Sequence, residues 1–188
     1  DFLLPIKYHQ ISVRAAAPIF APLMPTIIKQ CLLLSFLLLT GRLALLAQDF
    51  SMLKEVQFSS AASCKQYERN ALQCAEYILS TPHQPSNPQR AEALQFMIRW
   101  MGATPDYHFN LDDRVGRWLN NEETLLGEYM AALTEYCLLH PGPGIDRDSM
   151  EVAALHRLAA YCADQSHGIR TNRNIRKLIS ADQAGTLS

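Results

Sequence analysis

Between Pro88 and Met101 the chain reads PQRAEALQFMIRWM, and after Ala91 only Glu92, Gln95 and Arg99 interrupt an otherwise apolar run. These three stand three and four residues apart, so on a helix they form one narrow polar stripe. Leu94, Phe96, Met97, Ile98, Trp100 and Met101 cover most of the remaining circumference. A helix that apolar has to be surrounded by other helices, and this stretch is expected to be the central one. Its stripe either faces solvent or lines a buried cavity, where Arg69, Arg114 or a neighbouring acid would satisfy it.

The rest of the chain supplies the helices to surround it. From Ser59, residues Cys64, Tyr67, Ala71, Cys74, Ala75 and Ile78 recur by threes and fours as far as Ser80-Thr81-Pro82. Asn87 caps the central helix with Pro88 at its first position, and Gly102 is expected to stop it in the left-handed conformation. A turn with an extended tail, 103–110, leads to a short helix, 111–119, weakened by Gly116. A stronger helix runs from Glu122 to His140, with acids in its first turn. Pro141-Gly142-Pro143-Gly144 breaks the chain, and Asp148 with Glu151 starts a helix from Ser149 to Asp164. Thr171 caps a last short helix through Ile179. No strand pattern of useful length appears. The expected fold is all-α, a compact bundle or helical-hairpin array of about five to six helices. The domain spans 48–180, and 181–188 form a frayed tail.

The first 47 residues read differently. They carry a balance of +3, which leaves −4 for the remainder. A mildly acidic domain speaks against nucleic acid, whose binding needs a concentrated basic face. From Met24 the segment MPTIIKQCLLLSFLLLTGRLALLAQDF has Lys29, an apolar run from Cys31 to Leu39, and the small residue Ala47 ahead of Gln48. That is the layout of a secretory signal peptide over 24–47, cleaved after Ala47 or Gln48. The alternative is a retained membrane anchor, since Ile27 to Ala47 is about a bilayer's worth of helix. Residues 1–23 hold Pro5, Pro18 and Pro22 without periodicity. They read as an upstream extension in which no packed structure is expected.

The segments Cys74-Ala75-Glu76-Tyr77-Ile78-Leu79-Ser80-Thr81-Pro82, Leu94-Gln95-Phe96-Met97-Ile98-Arg99-Trp100-Met101 and Thr104-Pro105-Asp106-Tyr107 resemble those of a group of small exported helical proteins from Bacteroidota. The resemblance covers most of Gln48 to Ile179. It implies export to the bacterial periplasm or beyond and an all-helical fold, and it carries no catalytic residue across.

Four cysteines remain beyond the signal segment: Cys64, Cys74, Cys137 and Cys162. If the main helices alternate in direction, Cys64 lies at the same end as Cys162, and Cys74 shares the other end with Cys137. These are the two favoured pairings should disulfides form. Cys137 with Cys162 is poor, because the thiols of that hairpin would be offset by roughly 15 Å along the axis. Buried free thiols are the alternative, since all four fall on apolar seams. A metal site from Cys137, His140, His156 and Cys162 fails on geometry, because residues 156 and 162 point away from each other on a helix. No metal and no cofactor are assigned.

Asp106, Tyr107, His108, Asp112 and Asp113 crowd titratable groups into one loop. Asp106 and His108 are the candidate acid-base pair there, although turn and first-turn chemistry accounts for the acids equally well. Arg170, Arg173, Arg176 and Lys177 make a basic tail helix suited to an acidic partner or an anionic envelope surface, or simply to solvent. The preferred reading is therefore an exported, non-catalytic interaction or envelope-associated module. It would touch a membrane only through an uncleaved N-terminal segment. The alternatives are a small periplasmic enzyme using the Asp106–Asp113 loop and a structural homodimer.

Overall fold

Four of the described helices are opened by a short polar side chain, Ser60, Asn87, Asp146 or Asn172. Ser60 and Ser63 cap each other reciprocally to open α1 (Ala61–Gln66). The periodicity does continue into α2 (Glu68–Ser80), but Tyr67 breaks the helix between them. The cause is the Cys64 carbonyl, which leaves the helical ladder to accept from the Trp100 indole Nε1 at 3.0 Å and from the Tyr67 N–H at 3.2 Å. Asn87 accepts from the Gln89 and Arg90 N–H groups, with Pro88 at the first position, and opens α3 (Pro88–Ala103). Gly102 is an ordinary helical residue rather than a left-handed stop. The helix ends one residue later, where Thr104 turns extended ahead of Pro105.

The remaining elements are α4 (Asp113–Leu119), a 3₁₀ turn Glu123–Leu125, α5 (Leu126–Leu139), α6 (Arg147–Ala163), a 3₁₀ turn Gln165–His167 and α7 (Arg173–Gln183). Asp146 caps α6 through the Ser149 N–H, two residues ahead of the Asp148 that the spacing favours, and Asn172, not Thr171, caps α7. This computed structural model describes residues 49–109, 111, 113–119, 123–142 and 144–187. The upstream extension, the signal segment and the membrane-anchor alternative lie outside the described residues. So do Asp112 and the side chains of Asp113 and Arg114. All described residues belong to one compact unit, 47–188, without a strand among them. None of its described helices is long and apolar enough to cross a membrane.

The fold is all-helical, as the periodicity requires, but its centre is α5 rather than α3. Helix α5 packs against α2, α3 and α6, whereas α3 lies mainly on α2. Sequence explains the exchange. Helix α5 buries Tyr129, Leu133 and Cys137 together with the small Ala131 and Ala132, so neighbours approach it from several sides. At Gly127 a Cβ would stand 3.2 Å from Leu94 Cδ2, so glycine admits α3 at close range. Helix α3 keeps an outer face on which Gln95 is exposed and Ile98 is 42% exposed. The pairs α2/α3, α5/α6 and α6/α7 are sequence neighbours, and α2 against α5 joins the pairs into a closed bundle.

Glu92 and Arg99 of the polar stripe, with Gln89 one turn earlier on α3, bind the chain's own preceding segment. Gln89 Oε1 accepts from the Phe50 N–H at 3.0 Å, Glu92 pairs with Lys54 at 2.7 Å, and Arg99 donates to the carbonyls of Leu53 and Val56 at 2.8 and 3.0 Å. Phe50 is thereby seated in the core, its ring edge-on to Tyr77 at 5.1 Å. Of the stripe only Gln95 stays exposed. At the other end the chain is packed rather than frayed. Helix α7 continues to Gln183, Gly185 takes φ +67, the Thr186 N–H bonds the Ala181 carbonyl at 2.8 Å, and Leu187 is buried.

Candidate functional site

The C-terminal turn of α2 exposes carbonyls that the helix itself cannot satisfy. Thr81, extended ahead of Pro82, folds its hydroxyl back to donate to the Tyr77 carbonyl at 2.6 Å. Arg90, in the first turn of α3, supplies the next partner. Its Nη1 donates to the Ile78 carbonyl at 2.9 Å and to Thr81 Oγ1 at 3.0 Å. A cation at a helix C-terminus is favoured by the helix dipole as well as by these bonds.

The other face of the guanidinium meets an acid. Arg90 Nη2 lies 2.5 Å from Glu128 Oε1 and 3.4 Å from the Tyr161 hydroxyl. Glu128 comes from the first turn of α5. The same Oε1 takes His83 Nδ1 at 2.6 Å. Side-chain exposure falls from 17% at His83 to 7% at Arg90 and 3% at Glu128, so a carboxylate and a guanidinium are held together out of water. Such a pair is tolerated because each charge is compensated and further hydrogen bonds use the remaining donors.

Tyr161 and His167 close the cluster from α6 and the turn after it. The Tyr161 hydroxyl donates to the Thr81 carbonyl at 2.9 Å, and burial pushes its pKa up to about 12 despite the nearby Arg90. His167 stacks on the Tyr161 ring with centroids 4.0 Å apart, and its Nδ1–H donates to the Tyr161 carbonyl at 2.9 Å. The His83 N–H donates to the His167 carbonyl at 2.8 Å, which fixes the loop that carries the imidazole.

A cleft of about 200 Å³ opens above this cluster. Ile78, Pro85, Ala91 and Leu94 form apolar walls, and His83 and Glu128 reach its floor. Glu128 Oε2 accepts no hydrogen bond from any described residue, and it is not sealed away like the orphaned Glu92 Oε2 and Thr134 Oγ1. Glu128 lines the cleft, and Oε2 is the carboxylate oxygen that its neighbours leave unused.

The loop candidates sit elsewhere, in a cavity of about 310 Å³ bordered by α5, α6 and the 142–145 turn. Asp106 and His108 both line it, so the structure does bring the two together. No second described carboxylate joins them. Asp106 and His108 are exposed, and the Asp106 N–H bonds Thr104 Oγ1 at 3.4 Å in an ordinary turn. Deeper in the same cavity Cys137 Sγ lies 3.2 Å from Met150 Sδ.

The four cysteines are buried free thiols, and neither the Cys64–Cys162 nor the Cys74–Cys137 bridge is formed. Burial pushes the thiols of Cys74 and Cys137 up to about 12. His140 turns to the Tyr136 carbonyl and His156 to Asp182, at 2.9 and 2.6 Å. Among the described residues no group of three or more His, Cys, Asp and Glu side chains is placed to hold a metal ion.

His83, Arg90 and Glu128 carry no sequence motif, and reading the chain for motifs passes them by. The available signal was indirect. Ser80-Thr81-Pro82 announces a helix end in need of a donor, and Glu128 is an acid inside a strongly apolar helix. Comparison with known protein families, with curated proteins and with solved structures finds no match for this chain.

Proposed function

We propose that this chain is an exported, non-catalytic binding module whose binding site is the cleft between α2, α3 and α5. One observation carries the reading: the buried Arg90–Glu128 ion pair lies against an apolar-walled cleft and leaves one carboxylate oxygen unused by its neighbours. Apolar walls with a few fixed polar atoms are the usual composition of a small-molecule site. The polar groups of the cluster are spent on one another rather than held ready for catalysis. Arg90 spends four hydrogen bonds on its neighbours, and Glu128 Oε1 is shared by Arg90 and His83, so these groups stabilise one another. Export rests on the Met24 to Ala47 layout and predicts a mature N-terminus at Gln48 or Asp49, checked by mass spectrometry of the secreted fraction.

The binding reading is tested by amide chemical-shift mapping with a collection of small aromatic and aliphatic fragments. Binding should perturb Ala91, Thr124 and Gly127, and Ala91→Trp, which covers the cleft from an exposed position, should abolish the shifts. Shifts that persist in A91W, or that map only to other surfaces, would overturn it. The enzymatic alternative keeps one favouring observation, the shared cavity of Asp106 and His108. It predicts that Asp106→Asn and His108→Ala abolish a turnover which A91W leaves intact.

A further inference from the structure

Resting on the reading of the cleft as a binding site, we infer that its ligand is a small, uncharged, largely apolar molecule bearing a hydroxyl or N–H group, which donates to Glu128 Oε2.

Charge decides against ions. Glu128 and Arg90 neutralise each other at the floor. A cationic ligand placed on Oε2 would bring its charge beside the Arg90 guanidinium, and an anionic one would meet the Glu128 carboxylate. Either would carry an uncompensated charge into a site with apolar walls, which is costly. A neutral donor meets no such penalty and gains a hydrogen bond to an ionised acceptor, stronger than one between neutral groups.

Hydrogen-bond polarity points the same way. Glu128 Oε1 is engaged twice, and Oε2 is open. A carboxylate oxygen only accepts, so a ligand that meets Oε2 must bring the donor. Size sets the remainder. Since a dry cavity of about 150 Å³ holds benzene, a cleft of about 200 Å³ suits one ring with a short substituent.

The test titrates the full chain at pH 8 with four probes of one shape: toluene, benzyl alcohol, benzylamine and benzoate. Dissociation constants come from amide shifts at Ala91, Thr124 and Gly127. Benzyl alcohol should bind about tenfold or more tightly than toluene, from one charge-assisted hydrogen bond, and more tightly than benzylamine or benzoate. Toluene binding as well as benzyl alcohol would overturn the donor requirement, and preference for either ion would overturn the neutrality argument. If none of the four binds the wild type any better than A91W, the binding-site reading itself falls. The double substitution Arg90→Leu with Glu128→Leu removes the ion pair as a unit and should erase the preference for benzyl alcohol over toluene. A retained preference would place the acceptor elsewhere and sink the assignment to Oε2.

Discussion

Glu128 is the residue on which most of the polar interior depends, because one of its oxygens answers both Arg90 and His83. Glu128→Ala leaves the guanidinium buried without a counter-charge, and unfolding in urea should show a loss of about 3–5 kcal/mol. Replacing Arg90 and Glu128 together by leucine removes both charges and should cost far less. Equal losses in the single and double variants would mean that packing, not charge, holds this corner. Thr134 presents the opposite case. Its hydroxyl is fully buried in α5 without a partner, so Thr134→Val keeps the shape and deletes an unsatisfied group. A gain of about 1 kcal/mol in the same measurement is expected, and a loss would show that the hydroxyl has a use. Side chains of this kind are the least legible in a sequence. Glu128 lies 38 positions from Arg90 and 45 from His83, so no local spacing links them. Asp106 and His108 stand two positions apart in sequence and are therefore conspicuous, yet their ordinary turn geometry gives them no activating partner among the described residues.

Among the helices, boundaries were readable wherever one local group decided them. Asn87-Pro88 did so for α3, and Pro82 and Pro105 did so for the ends of α2 and α3. Rank in the bundle was not readable in the same way, because an apolar circumference shows that a helix can be covered without saying what covers it. For α3 the cover on the stripe is the 50–56 segment, held by Gln89, Glu92 and Arg99. Lys54 is half exposed, so its pair with Glu92 contributes little against solvent screening, and Arg99 with its two carbonyl acceptors is the main tie. Arg99→Ala should therefore free the 50–56 segment locally. Hydrogen exchange at the Leu53, Lys54 and Val56 amides should accelerate while the α5 amides keep their protection. Uniform acceleration across α2, α3 and α5 would show instead that the segment is integral to the global fold.

For the molecule as a whole, the same burial that removes Cys74, Cys137 and Tyr161 from water makes the fold sensitive to base. All three titrate well above their ordinary values, at about 12, with desolvation as the first cause in each. A raised folded pKa means that the unfolded chain gives up the proton first. The stabilising contribution is therefore complete below the unfolded values, near 9.0 for the thiols and 10.0 for the phenol, and it is lost as pH climbs toward 12. Over that window each group costs about 1.4 kcal/mol per pH unit. Together the three slopes reach about 11 kcal/mol by pH 12, comparable to the whole stability of an ordinary domain, about 5–15 kcal/mol. Melting temperature should fall steeply from about pH 9 upward. Substituting alanine for Cys74 and Cys137 together lowers the neutral baseline by opening space in the core, but it removes two of the three slopes. The double variant should thus melt lower than wild type at pH 7 and lose less between pH 9 and 11. An unchanged alkaline slope in that variant would show that the thiols are not what limits the fold in base.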